Sequence, residues 1–189
     1  MRTYNKQSLV KRALVLCLLA ALLLATTSCG QKTDPIAKTG LGTFSATDMN
    51  NNKITESLFQ ENDLTLVNVF SSTCNPCMGE LPHLAELATE YKSKKVGILA
   101  LNIDTDSEGN IDEASKEAVL KVLGENNKDM KVAFWGKSLM QTLSAKTDAL
   151  PYSFFVDKNG KIVGEELLGA YSKQEWAEML DKQLAALQK

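Results

Sequence analysis

Hydrophobic residues along this chain fall into runs of different length and period, and each kind predicts a different element. Ala13 to Ala25 is apolar without interruption, behind a start that holds Arg2, Lys6, Lys11 and Arg12 and no acid. A run this short, with a basic start, matches a secretory leader better than a bilayer-spanning helix. Leu64-Thr65-Leu66-Val67-Asn68-Val69-Phe70 and Lys95-Val96-Gly97-Ile98-Leu99-Ala100-Leu101-Asn102-Ile103 are mostly apolar, as strands buried on both faces are. Between them Met78 to Tyr91 reads as a helix, and a strand, helix, strand order predicts a right-handed parallel crossover.

Shorter patterns flank this unit. Phe44 to Leu58 alternates around the turn signal Met49-Asn50-Asn51-Asn52-Lys53 and predicts a β-hairpin. Ile111 to Leu123 has helical spacing and runs into Gly124 and Asn126-Asn127, while Ser138 to Ser144 predicts a shorter helix. Pro151 leads Tyr152-Ser153-Phe154-Phe155-Val156, a turn at Asp157 to Gly160, and Lys161-Ile162-Val163-Gly164, a second hairpin. A last helix is predicted from Ser172 as N-cap with Glu175 three residues on, and its stripe is Trp176, Met179, Leu180, Leu184 and Leu187. Gly30 to Gly42 is polar and broken by Pro35, so it reads as a tether able to reach about 45 Å when extended. The organisation expected is a leader over 1–28, a tether over 29–42 and one domain over 43–189.

Composition changes this picture in two ways. The chain carries 21 basic and 23 acidic residues; without the four basic residues of the leader, about 17 face 23, so the mature chain is near minus six. That balance argues against nucleic acid or an anionic lipid surface as partner. The chain has four cysteines: Cys17 leaves with the leader, and Thr26-Thr27-Ser28-Cys29-Gly30 resembles a bacterial lipoprotein signal, which implies lipid on Cys29. Thr26 stands where that signal usually has Leu, and secretion with a free Cys29 or an uncleaved anchor are the other readings. Only Cys74 and Cys77 then remain as thiols, so no disulfide framework is expected and the domain, roughly 150 residues, must fold on its core.

Those two cysteines carry the candidate chemistry. Cys74-Asn75-Pro76-Cys77 lies between a predicted strand and a predicted helix, where unpaired N–H groups and the positive end of the helix dipole stabilise a thiolate. The same spacing also serves zinc, but a tetrahedral site normally takes four protein ligands. Here there is no second CxxC and one histidine, His83, which follows Pro82 on the helix and fits a packing or surface role better than a base or ligand.

The order of elements resembles the thioredoxin fold. Pro82 after the CxxC resembles that fold's kinking helix proline, and Leu150-Pro151 matches the proline that the family holds cis opposite its dithiol. The lipoprotein-like start, the N-terminal hairpin, the Cys74-to-Glu80 segment and the insert around Asp104 to Asn126 are similar to the membrane-tethered TlpA and ResA group. The fold implied is α/β, a central mixed sheet flanked by helices, with an N-terminal hairpin and an inserted helix. Asn68 stands where cytosolic thioredoxins have a buried aspartate. Glu80, one turn from Cys77, resembles the carboxylate of the TlpA and ResA group, which implies that it accepts the Cys77 proton; a solvated first-turn glutamate is the plain alternative. Ser71-Ser72-Thr73 departs from the family, which commonly has Trp before the first cysteine.

The resemblance implies an extracytoplasmic thiol-disulfide oxidoreductase without cofactor or metal. Cys74 would be the nucleophile and Cys77 the resolving thiol, with Asn75, Pro76, Leu150 and Pro151 around the client groove. Implied partners are disulfide-containing exported proteins, such as apocytochrome c, methionine sulfoxide reductases or misoxidised envelope proteins, and a membrane electron donor of the CcdA or DsbD type. The rival readings are an oxidase running the same chemistry backwards, a metallochaperone of the Sco kind, a peroxiredoxin-like peroxidase and a non-catalytic binding lipoprotein. The Sco pattern spaces its cysteines by three residues and adds a distant histidine, and the threonine-containing peroxidatic motif is absent.

Overall fold

The computed structural model describes residues 40–124 and 128–187. The expected leader, Cys17, Cys29 and most of the expected tether lie outside them. Chain order in the described part is β1 (Ser45–Asp48), β2 (Lys53–Thr55), a short 3-10 helix (Glu56–Glu61), β3 (Leu64–Phe70), α1 (Asn75–Tyr91), β4 (Val96–Asn102), α2 (Glu113–Leu123), β5 (Lys131–Trp135), α3 (Lys137–Ser144), β6 (Tyr152–Asp157), β7 (Ile162–Leu168) and α4 (Lys173–Leu187). The seven strands form one sheet in the order β2-β1-β5-β4-β3-β6-β7. Strands β3, β4 and β5 run parallel, and the outer pairings are antiparallel. The sheet is therefore mixed, and with its flanking helices the fold is thioredoxin-like.

Strand β3 is central and buried at every position, which is why its residues are apolar on both faces. Its period of two sends Leu64, Leu66 and Phe70 to the layer with Leu81, Leu84, Val119, Trp176 and Leu180, and Val67 and Val69 to the layer with Phe59, Leu139 and Leu143. Helices α1, α2 and α4 thus cover one face, and α3 with the N-terminal segment covers the other. Burying one such Leu or Phe contributes about 1.5 to 3 kcal/mol, so this double core holds the central strand without any staple.

Local signals fix the turns. Asp48 takes the N–H groups of Asn50 and Asn52 at 2.8 and 2.7 Å, and Asn51 adopts φ +64°, a left-handed conformation that Asn tolerates. Asp157 closes the second hairpin in the same way through Asn159 and Lys161. Ser172 and Glu175 form the expected reciprocal cap of α4, the Glu175 N–H donating to Ser172 Oγ and the Ser172 N–H to Glu175 Oε2.

The structure departs from the sequence reading at several places. Strand β5 was not expected; Val132 to Trp135 is too short an apolar run for periodicity to assign, and the sheet places it between β1 and β4. Strand β7 continues past Gly164 to Leu168. The expected tether stops short of Gly42, because Leu41 is buried in the core layer around Phe44. The stripe of α4 ends near Leu184, leaving Leu187 exposed.

Candidate active site

The parallel register puts Phe70 beside Asn102, so β3 and β4 end together. The antiparallel pairing of Val69 with Tyr152 brings Pro151 to the same end. This is the edge of an α/β sheet where ligand sites form, because loops and helix N-termini converge there. Each element delivers a piece: β3 the Cys74 loop, β4 the Asp104 loop, and β6 the Leu150–Pro151 peptide bond, which is cis.

Cys74 is the N-cap of α1, with φ −89° and ψ 101°, and Pro76 occupies the first turn, where no N–H is needed for the helix ladder. The Cys77 N–H points at Cys74 Sγ at 3.3 Å. The two cysteines form a disulfide, with Sγ atoms 2.01 Å apart. Cys74 is half-buried, Asn75 and Pro76 are exposed, and Cys77 is fully buried. Only the first sulfur lies on a residue open to solvent. Among the described residues no cluster of three or more His, Cys, Asp or Glu could hold a metal ion.

Glu80 lies one turn after Cys77 on the buried face of α1 and is 2% exposed. It is no solvated first-turn glutamate. Asn68 Nδ2 donates to its Oε1 at 2.7 Å, and the Tyr171 N–H and Trp176 Nε1–H donate to its Oε2 at 3.2 and 3.1 Å. The period of β3 puts Asn68 on the α1 side, and Gly169 makes the turn that brings Tyr171 in, with φ +98° and its N–H on the Pro151 carbonyl at 2.9 Å. Burial pushes the Glu80 carboxyl above its ordinary range; the three donors oppose that push without cancelling it. Asn68 Nδ2 also donates to Ser153 Oγ at 3.0 Å, while Asn68 Oδ1 is buried without a partner. Turned over, the same amide would accept a hydrogen bond from the protonated carboxyl through Oδ1, so one side chain can partner both states of Glu80. His83 is half-buried on the following turn, and its Nδ1 has no partner.

A second carboxylate was not singled out by the sequence, where Asp104 only marks the start of the insert. Asp104 accepts from Ser71 Oγ at 2.7 Å, from the Ser72 N–H at 2.7 Å and from Ser115 Oγ at 2.7 Å. Partial burial alone would raise its pKa, but the Ser115, Ser71 and Ser72 donors together hold it below the ordinary carboxylate range. The signal that could have found it is the polar triplet Ser71-Ser72-Thr73 where an aromatic was expected, since such a rim needs an acceptor.

Beside Leu150 a small pocket of about 160 Å³ is lined by the apolar Val69, Ile103, Trp135, Leu143 and Leu150 and by the segment Ser144 and Thr147 to Ala149. A disulfide with one half-buried cysteine at a helix N-terminus, a buried carboxyl one turn below it and a cis-proline at the same end of the sheet define a thioredoxin-class redox protein.

Comparison with known proteins carries this further. Residues 33–180 match the Redoxin family. The chain is similar to the thiol-disulfide oxidoreductase ResA of Bacillus thuringiensis subsp. konkukian, 32% identical over 141 residues that span 74% of this chain and 73% of that protein. Among solved structures it is similar to a thiol:disulfide interchange protein of the thioredoxin family from Chlorobium tepidum, at TM-score 0.59 and 18% identity over 75% of this chain and 93% of that one. It is also similar to an exposed lipoprotein thioredoxin of Streptococcus pneumoniae, at TM-score 0.58 and 21% identity over 75% of this chain and 99% of that one. The chain belongs to the Redoxin family and, within it, to the thioredoxin-like ResA and TlpA group. It is a thiol-disulfide oxidoreductase of that type, with Cys74 and Cys77 as its CxxC pair.

Proposed function

We propose that the protein reduces disulfides of exported clients outside the cytoplasm, with Cys74 as the attacking thiol, Cys77 as the resolving thiol and Glu80 as the proton acceptor. The observation that carries this reading is the depth order at the site: Cys74 half-buried at the helix cap, Cys77 buried, Glu80 buried with a raised pKa. The Cys74 thiolate attacks a client disulfide sulfur; the client S–S bond breaks and its leaving thiolate takes a proton from water. Glu80 then accepts the Cys77 proton, the Cys77 thiolate attacks Cys74 Sγ, and the second client sulfur leaves as thiolate to be protonated in turn. Two electrons have passed to the client, and the Cys74–Cys77 disulfide has formed. A membrane dithiol donor of the CcdA or DsbD type restores the pair.

Asn75, Pro76, Leu150 and Pro151 frame the groove, and Pro151, lacking an N–H, leaves the backbone beside it free for strand-like pairing with a client. The leader-like start and Thr26-Thr27-Ser28-Cys29 support a lipid tether at Cys29, and the pneumococcal relative is itself described as a lipoprotein. Radiolabelled palmitate in the full-length chain, absent from Cys29→Ala, is the result expected of that tether.

The deciding experiment is the reduction potential of the Cys74/Cys77 couple against a thiol buffer. A value near −270 mV, about that of thioredoxin, supports the reductase; one near −120 mV turns the reading to an oxidase. Cys77→Ala is expected to trap a mixed disulfide on Cys74, and Cys74→Ser to trap none.

A further inference from the structure

We propose that Asp104 is a positioning residue for the attacking thiol: it clamps the loop Ser71–Thr73 to the start of α2 and so holds Cys74 against the N–H groups that open α1. This rests on Cys74 being the attacking thiol. The three N–H groups from Ser72 to Cys74 are all tied within this small system, Ser72 to Asp104 Oδ2 at 2.7 Å, Thr73 to Ser71 Oγ at 3.2 Å and Cys74 to the Ser71 carbonyl at 3.1 Å. Ser71 spends its hydroxyl proton on Asp104 Oδ1, so it accepts from both the Thr73 N–H and the Thr73 hydroxyl, the latter at 2.9 Å. The chain of donors therefore ends on the carboxylate.

The other side of the clamp is buried. The Asp104 N–H donates to Asn102 Oδ1 at 2.6 Å, Asn102 Nδ2 donates to Ser115 Oγ at 3.1 Å, and Ser115 Oγ donates back to Asp104. Asn102 and Ser115 are 0% and 1% exposed, and Ser71 is 6% exposed. Buried polar groups of this kind hold a single geometry, because any shift leaves a donor unsatisfied. Asp112 beside Asp104 is engaged in capping the Ser115 N–H, and Asp106 in its own turn with Glu108 and Asn110. Among the described residues no ion pair includes Asp104, so its partners are all neutral.

The consequence falls on the reduced protein. In the oxidised state the Cys74–Cys77 bond itself ties the loop to α1. Once that bond opens, Cys74 is held to α1 by the Met78 N–H bond to its carbonyl at 3.0 Å, and the place of Cys74 relative to the Cys77 N–H depends as well on the loop's hydrogen bonds, which include no sulfur and so do not need the disulfide. Thiolate stabilisation at a helix start is directional, so a loosened loop weakens it.

The test is the pH profile of iodoacetamide alkylation of the reduced full-length protein in detergent, with mass spectrometry locating the modified cysteine and thermal unfolding measured alongside. Asp104→Ala is expected to slow Cys74 alkylation at neutral pH by about tenfold, the profile's midpoint moving about one unit upward. Asp104→Asn, which keeps one acceptor for the loop, is expected to recover part of that loss. An unchanged profile with lowered melting overturns the proposal, leaving Asp104 a plain brace. A midpoint that moves downward in both variants overturns it too, because the charge rather than the geometry then governs Cys74. Should Asp104→Ala not fold, Ser71→Ala carries the same test, with slowing of about threefold expected and none overturning the proposal. Alkylation of wild type at Cys77 instead of Cys74 is a separate result, and it removes the assignment of the attacking thiol.

Discussion

Glu80 and Asp104 each accept three hydrogen bonds near the same dithiol, yet one carboxyl is pushed up and the other held down. The difference lies in depth. Glu80 is enclosed between β3, α1 and α4, so the loss of water outweighs its donors; Asp104 stands at the rim, where water remains and the donors win. Counting hydrogen bonds would not have separated them. The difference suits the two proposed roles: a raised pKa lets Glu80 accept a proton near neutral pH, and a lowered one keeps Asp104 an acceptor for its loop donors.

The largest expected effect comes from making the Glu80 cage resemble a like-charge pair. Asn68→Asp would put a second carboxyl against Glu80 Oε1 and should destabilise the protein by about 3 kcal/mol at pH 8, with much of the loss recovered at pH 5, where the pair holds a proton. Urea unfolding at both pH values measures it, and equal losses would show that the cage is wetter than its burial indicates.

Next, Glu80→Gln should lower the rate of mixed-disulfide resolution by about 10²-fold while leaving the first attack by Cys74 much less affected. Rapid-quench trapping separates the two steps. The same variant sharpens the pH argument. Folded Glu80 binds its proton more tightly than the unfolded chain does, so wild-type stability falls as pH rises from the ordinary carboxylate range through the raised value, and levels off above it. Glu80→Gln should lose that slope. Asp104 works the other way: its contribution is present above the ordinary carboxylate range and is lost as pH falls through its lowered value.

Smaller still, Trp176→Phe keeps the buried ring but removes one donor to Glu80 Oε2, and should cost about 1 to 3 kcal/mol and raise the Glu80 pKa further, as read by infrared titration of the carboxyl. The smallest expected effect tests whether the two carboxylates are independent. They share no partner, so the stability changes of Glu80→Gln and Asp104→Asn should add within about 0.5 kcal/mol, and a larger coupling would join the two networks into one.

Much of this could be read in advance. Strands β3 and β4, helix α1 and the cap of α4 follow from local runs, periods and capping residues, all carried by neighbours in sequence. Strand β5 did not, because its ladder partners in β1 and β4 lie far along the chain, and the extension of β7 did not, because it resumes pairing with β6 only after a register shift. The same split runs through the site. Cys74, Cys77 and Glu80 lie at the cap and in the first turns of one helix and could be found from the motif and what it resembles, whereas Asp104 reaches Ser71 across 33 positions and Trp176 reaches Glu80 across 96.

The sequence determined the dithiol at a helix start and the carboxyl one turn beyond, which depend on residues a few positions apart, while the class of fold came from the order of elements along the chain and what it resembles. Only the tertiary structure decided which carboxyl is dry and which is wet. That is set by how strands and helices distant in sequence close over each group, and desolvation is a property of the enclosure, not of the residue.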